Sequence, residues 1–365
     1  MSLGRTNSVM MTVESFAGFG ASLFVIGLLT VPQNVPECEV GAQAIMSVRT
    51  FIGLILCNLA WSAHPAMSKI LLEHLTPVHA AWLRYSSGLL TYFVLIALLK
   101  VFLPKNAELR MKVRQPFFKP KTAIVWAQVI GLGFATFCFS PLFQLTGLST
   151  TRSIDNALII ALEPLMTVFL AWVFLKESLN RVHFLSFALA VSGFAFLSEL
   201  ATHHSLSSSL IGNLMMLTAL IGEAVYSVVG RKLIARHPPI AVFGTALLIG
   251  VLCLTIFTGI TAGFPDISKI GFSGLIATLW LGPLGTCATY LFWMTALVEA
   301  PVASLTITIF IQPLMGTVWG YTFLHERLNM TQAFGGVLIL TAVLFDFVAQ
   351  TRAKRAMSPL NPQIV

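Results

Sequence analysis

The sequence predicts an all-α polytopic membrane protein with ten transmembrane helices arranged as two inverted five-helix repeats. Three observations predict it: a scarcity of charge, ten long apolar runs and an internal duplication. Of the 365 residues, 56% are hydrophobic and only 10% charged, against about 25% charged in an ordinary soluble domain. The mean hydropathy is +0.86. So few ionic groups cannot clothe a water-facing surface of this size, which excludes a cytosolic enzyme, a disordered chain and an ordinary secreted globule.

A membrane helix takes about 20 apolar residues. Runs of that kind lie near 50–70, 77–101, 123–147, 153–175, 181–199, 209–231, 239–261, 273–298, 300–324 and 331–350. The connection from Leu148 to Arg152 is very short, so the third and fourth spans must be antiparallel neighbours. With the start of the first span inside, the inner positions collect Arg49, Lys100, Lys105, Arg110, Lys112, Arg114, Lys119 and Lys121. They also collect Lys176, Arg181, Arg231, Lys232, Arg236, Arg352, Lys354 and Arg355, 16 in all. The outer set is Lys69, Arg84, Arg152, Lys269 and Arg327. This asymmetry predicts both ends of the ten-span core in the cytoplasm. It also accounts for the formal charge of +8 without a nucleic-acid partner. The expected partners are the lipid bilayer and a small-molecule solute, and a homodimer is left open.

The termini lie outside this plan. Residues 1–45 read as an extension preceding the first repeat. Phe16 to Val31 is an apolar run of 16, short for a span and long enough for a signal-peptide core. The leading reading is a mis-set start, with Met46 the true one, or a weakly structured extension; a cleaved signal and an interfacial helix are the alternatives. Residues 351–365 read as a basic cytoplasmic tail. Cys38, Cys57, Cys138, Cys253 and Cys287 are far apart, with no CxxC or Cys/His spacing. Neither a metal site nor a disulfide framework is expected.

The duplication is visible without gaps. Glu163-Pro-Leu-Met through Phe174-Leu-Lys-Glu-Ser-Leu-Asn180 lies over Gln312-Pro-Leu-Met through Phe323-Leu-His-Glu-Arg-Leu-Asn329, at an offset of 149 with 8 of 18 positions identical. The same offset pairs Leu142-Phe143 with Leu291-Phe292, Thr146 with Thr295 and Leu148 with Leu297. Residues 46–200 and 205–350 are therefore expected to be two copies of five spans. An odd number of spans per copy inserts the second upside down, and inverted halves can exchange conformations to open a site to each side in turn.

These paired segments, with Ala81-Trp-Leu-Arg-Tyr85 early in the second span and Trp61 in the first, resemble the drug/metabolite transporter superfamily and its EamA-type ten-helix branch. The resemblance covers about residues 48–350. It implies a carrier of the bacterial inner membrane that exports amino acids, metabolites or drugs through a cavity between the halves. The sequence departs at Trp61-Ser62-Ala63-His64, where the family often has Trp-Gly.

Counting 1.5 Å per residue from the span ends places Glu163, Gln312, Glu223, Trp61 and His64 near mid-membrane, where a polar group is costly and avoids lipid. Asn156, Ile160, Glu163 and Thr167 fall on one face of a helix. Glu223, Tyr226, Ser227 and Gly230 form a similar stripe, as do Trp61, His64, Pro65 and Ser68. The candidate substrate cavity is Trp61, His64, Asn156, Glu163, Glu223, Tyr226, Tyr290, Trp293, Thr306 and Gln312. Pro164 and Pro313 each remove an intrahelical bond at the midplane and are candidate hinges. Glu177 and Glu326, each ending a repeat helix, read as structural, pairing with a nearby cation or bracing the following turn. Arg84 reads as a helix-holding cation near the outer end, Asp155 lies near the outer mouth and Asp346 near the cytoplasmic end.

No cofactor and no metal are expected. Desolvation penalises the charged form of a carboxylate, so Glu163 and Glu223 are candidate proton carriers for a solute exchanged by alternating access. An acidic midplane without a central cation favours zwitterionic or cationic solutes. The alternative is an organic-phosphate or nucleotide-sugar exchanger, which needs basic residues in the cavity. A membrane enzyme would need a nucleophile–base set or a metal motif, and no Ser/His/Asp, HExxH or P-loop pattern occurs.

Overall fold

The computed structural model describes residues 47–102, 115–117, 120, 122–175, 181–198, 208–299, 305 and 307–357. Every regular element among them is helical. In chain order these are α1 (Val48–Ser62), α2 (His64–Leu72), α3 (Pro77–Phe102), α4 (Ala123–Phe134), α5 (Ser140–Thr150), α6 (Ser153–Ile160), α7 (Glu163–Leu175), α8 (Arg181–Leu197) and α9 (Ser208–Ile234). They continue with α10 (Pro239–Thr261), α11 (Gly271–Leu279), α12 (Thr289–Glu299), α13 (Ile311–Leu324) and α14 (Met330–Met357). Residues 1–45, the expected start at Met46, the loop cations 105–114 and residues 358–365 lie outside the described residues. The tail expected from 351 begins as a continuation of α14 to Met357.

Seven of the described helices are long and apolar enough to cross a membrane, and an eighth crossing results if the bent pair α6 and α7 counts as one. The chain is an integral membrane protein. The remaining expected spans are shorter: α8 has 17 residues and α13 has 14. Lipid-facing surface is supplied by outward apolar side chains such as Phe51, Leu90, Phe184, Ile260 and Leu314. Inside, lipid offers no hydrophobic drive, and close contact comes from small residues. A Cβ on Gly316 would meet that of Ala157 at 2.5 Å, so α13 lies directly against α6. Gly147 on α5 and Gly212 on α9 each face the other's backbone carbonyl in the same way.

The spans are interrupted where the sequence suggested straight helices. The expected single face carrying Asn156, Ile160, Glu163 and Thr167 does not form, because the chain bends by 44° between α6 and α7. Pro164 and Pro313 do not break helices from within. Pro164 is the second residue of α7 and Pro313 the third of α13, first-turn positions where a missing N–H is harmless. The break is the turn before each proline: Ala161–Leu162 in one case and the 3₁₀ turn Ile307–Phe310 in the other. α1 and α2 part at Ala63, with Pro65 again in the first turn of α2. π-helical segments at Ala135–Phe139, between α4 and α5, and Trp280–Ala288, between α11 and α12, widen two further spans.

Candidate functional site: a polar cavity in the bundle

The helix breaks converge on one cavity. It is lined by Trp61, His64, Arg84, Ser140, Gln144, Ile160, Glu163, Ala219, Leu220, Glu223, Tyr226, Ser227, Tyr290, Trp293, Ile309 and Gln312, and leaves about 50 Å³ for the centres of water-sized molecules. That is room for a few waters or a small polar group. Glu163 reaches it as the first residue of α7, and Gln312 as the second of α13, so both stand beside interrupted backbone.

The wall is a connected hydrogen-bond system. The Tyr290 hydroxyl donates to the Glu223 carboxylate at 2.9 and 3.1 Å, and Ser140 Oγ donates to it at 3.4 Å. Tyr226 donates its hydroxyl proton to the Tyr290 carbonyl at 2.8 Å. Gln312 Nε2 donates to Asn58 Oδ1 at 2.7 Å, and Asn58 Nδ2 in turn donates to Thr308 Oγ1 at 2.8 Å. The Glu163 carboxylate, by contrast, has no hydrogen-bond partner among the described residues; only its backbone carbonyl is used, by Thr167 Oγ1. Trp61 packs its ring 5.2 Å from that of Tyr290 and 5.5 Å from that of Trp293.

The π segment shapes the opposite wall. Trp61 Nε1 donates to the Gly285 carbonyl at 3.0 Å. A side chain at Gly285 would collide with His64 Nε2, and one at Gly282 with Ser87 Oγ. The wide turn and its glycines thus admit His64 and the second span to close range. Arg84 Nη2 lies 3.1 Å from His64 Nδ1, and Arg84 Nε donates to Thr286 Oγ1 at 3.4 Å. A guanidinium only donates, so His64 Nδ1 accepts and the imidazole proton sits on Nε2.

The structure thus brings Trp61, His64, Glu163, Glu223, Tyr226, Tyr290, Trp293 and Gln312 to one cavity. Asn156 is 1% exposed, with Nδ2 unpartnered, and does not line it; the bend after Ile160 turns it away. Thr306 lies outside the described residues, as does Glu177. Pro65 and Ser68 are buried beyond the break at Ala63. The placement of Arg84 away from the site, and the midplane without a cation, are corrected: Arg84 lines the cavity at 2% exposure. Ser227, on the expected stripe with Glu223 and Tyr226, lines the cavity, whereas Ser140 and Gln144 are lining residues that depth counting missed. Ser140 and Gln144 stand at i and i+4 after a π turn, and that pairing was the only signal for them.

Glu326 has a structural role, but among the described residues its carboxylate contacts neither a cation nor the turn that follows it. It holds the first turn of α6 from across the bundle, near a second cavity of about 390 Å³ that includes Lys69, Arg152, Asp155 and Asn213 in its lining. Arg152 pairs with Asp155 at 2.9 Å there and donates to the Arg327 carbonyl. At the other end of the bundle, Asp346 of α14 lies 2.6 Å from His183 of α8. Cys57, Cys138, Cys253 and Cys287 are free thiols.

Broken apolar helices around a polar pocket are the architecture of a membrane transporter. The family model of the EamA-like transporter family matches residues 48–199 and again 210–347. The chain belongs to that family, a membrane transporter of the drug/metabolite type. It is 23% identical to "Uncharacterized transporter YyaM" of Bacillus subtilis (strain 168), over 76% of this chain and 87% of that protein. An "Uncharacterized transporter" of Archaeoglobus fulgidus is 24% identical over 84% of this chain and 99% of its own. A "Probable terminal-alkyne amino-acid exporter" of Streptantibioticus cattleyicolor is 26% identical over 52% of this chain and 62% of that one. A solved crystal structure covering 87% of this chain superposes with a TM-score of 0.57 at 18% identity, a likeness of fold.

Proposed function

We propose that this protein exports a small organic solute across the bacterial inner membrane by alternating access, with Glu163 and Glu223 exchanging protons for it. The observation that carries the reading is the shared cavity. Segments from both family-model matches, α1, α2, α3, α5, α6 and α7 on one side and α9, α12 and α13 on the other, supply its walls. Broken helices around a buried polar site are what a carrier needs, because irregular backbone is tolerated in a membrane only where it lines a cavity.

In this reading the two matched segments are inverted copies, and the short helices α8 and α13 complete ten spans with both ends of the core in the cytoplasm. The Glu326 end then faces outward. There α6 packs closely on α13 under the Glu326 contacts, which closes the outer mouth in this state.

The protein in liposomes, loaded with a radiolabelled amino-acid mixture under an imposed pH gradient, tests the proposal. Expected is solute flux without chemical change, rising with the gradient, and flux in Glu163→Gln and Glu223→Gln that no longer follows pH. Wild-type rates with unchanged pH dependence in both variants sink the proton role, and chemical conversion of the solute sinks the carrier. Arg84 in the cavity gives the phosphate-exchanger reading a specific support; counterflow of glycerol 3-phosphate against inorganic phosphate with no amino-acid flux would establish it instead.

A further inference from the structure

The geometry points to Arg84 as the anchor for a carboxylate group of the bound solute. The inference rests on the transporter reading for its biological meaning and on Arg84 itself for its chemistry. Arg84 is 2% exposed, yet its Nη1 has no hydrogen-bond partner. It makes no ion pair with any described carboxylate: Glu223, the acidic side chain across the cavity, is engaged by Tyr290 and Ser140. Glu223 therefore acts on Arg84 only through space, and a guanidinium removed from water without an anion in contact gains when an opposite charge reaches its free N–H groups.

The side chain is also aimed. Thr286 Oγ1 holds Nε, His64 Nδ1 holds Nη2, and the cation sits 4.9 Å from the centre of the Tyr85 ring. Three fixed contacts leave one edge of the fork without a protein acceptor on a cavity-lining residue. A guanidinium edge of this kind suits a planar carboxylate, which accepts two parallel N–H bonds. The unpartnered Glu163 carboxylate on the same cavity is the complementary group for a cationic end of the solute. A solute bearing both charges, such as an amino acid, offers a partner to each of these two lining groups.

Intrinsic fluorescence reads the site without transport, because Trp61 and Trp293 stand in its wall. The purified full-length protein is titrated with the twenty amino acids, with leucinamide and alaninamide as carboxyl-blocked counterparts, and with glycerol 3-phosphate. Leucine or alanine is expected to act at concentrations at least tenfold below its amide and below glycerol 3-phosphate. Arg84→Gln is expected to erase that difference, and Arg84→Lys to keep part of it. Should Arg84→Gln fail to fold, Thr286→Val, which removes the Nε acceptor, is expected to narrow the acid-over-amide preference several-fold. Equal action of acid and amide, a preference that survives Arg84→Gln, a stronger response to glycerol 3-phosphate, or no response to any amino acid overturns the assignment. Binding with this preference but without flux keeps the anchor and sinks the carrier; flux with no such preference does the reverse.

Discussion

Glu326 caps a helix to which it does not belong. Its carboxylate accepts from the Ser153 N–H at 2.9 Å, the Ser153 Oγ at 2.7 Å and the Ile154 N–H at 3.0 Å, which are the first residues of α6. The residue before it, His325, ends α13 in the left-handed conformation (φ 55) and so turns the chain toward α6. Free N–H groups at a helix start favour a negative partner, and here the partner comes from the other matched segment. The contact ties these two elements together, and in the proposed alternating-access cycle they part when the outer mouth opens.

Removing the latch is expected to favour the parted state. Hydrogen bonds to a charged group contribute about 1.5–3 kcal/mol; a shift of about 2 kcal/mol in Glu326→Ala corresponds to roughly thirtyfold in the closed-to-open ratio. An impermeant thiol reagent added outside should label Asn156→Cys faster by a comparable factor in that background, with the native cysteines replaced. Glu326→Gln, which keeps one acceptor, should fall between. An unchanged labelling rate would show that α6 and α13 stay together without this contact.

Gly285 should behave as a proxy for His64 and Arg84. A methyl group there has to displace the imidazole, and overpacking of this kind typically costs about 1–3 kcal/mol. Because His64 Nδ1 holds Arg84 Nη2, Gly285→Ala should lower the detergent melting temperature and weaken solute binding together. Gly131, inside α4 with open space for an added Cβ, is the control: Gly131→Ala should lower neither quantity, since alanine favours a helix over glycine.

The Asn58–Gln312 pair should be non-additive. Gln312→Leu leaves Asn58 Oδ1 without the donor it meets at 2.7 Å, a loss of about 1–3 kcal/mol for a buried polar group. Replacing both residues by leucine removes donor and acceptor together. Unfolding measurements on the two singles and the double should give a combined loss smaller than the sum; simple additivity would mean the bond contributes nothing.

The pH response should not come from the exposed connection after α10. There Asp266 accepts from Ser268, by its hydroxyl at 2.6 Å and its N–H at 3.1 Å, and these bonds hold the carboxyl below the usual carboxylate range. A depressed value means the cap is fully present above the ordinary carboxylate pKa of about 4 and is lost only as pH falls through the lower folded value. Asp266→Asn is therefore expected to leave the pH profile of transport between pH 5 and 8 unaltered. A profile moved by that substitution would relocate the titrating group to the loop.

Membrane insertion and the helical class were legible in composition and run length, because lipid accepts only backbones that satisfy themselves. That Glu163, Glu223 and Gln312 would come together was legible too, because rise per residue converts sequence position into height along a helix, and all three line one cavity. Rotation about the helix axis was not. Whether Asn156 shares the face of Glu163 depends on a bend at Ala161–Leu162. Arg84 reaches the cavity only because His64, Thr286 and the widened turn at Gly285 draw it there. The approaches of Arg84 to Thr286 and of His64 to Gly285 join residues some 200 positions apart, which no local pattern encodes. The chain by itself determined which polar groups interrupt the apolar runs; only the packing of one segment against the other decided which of them meet, and that Glu326 would close on a helix far away in sequence.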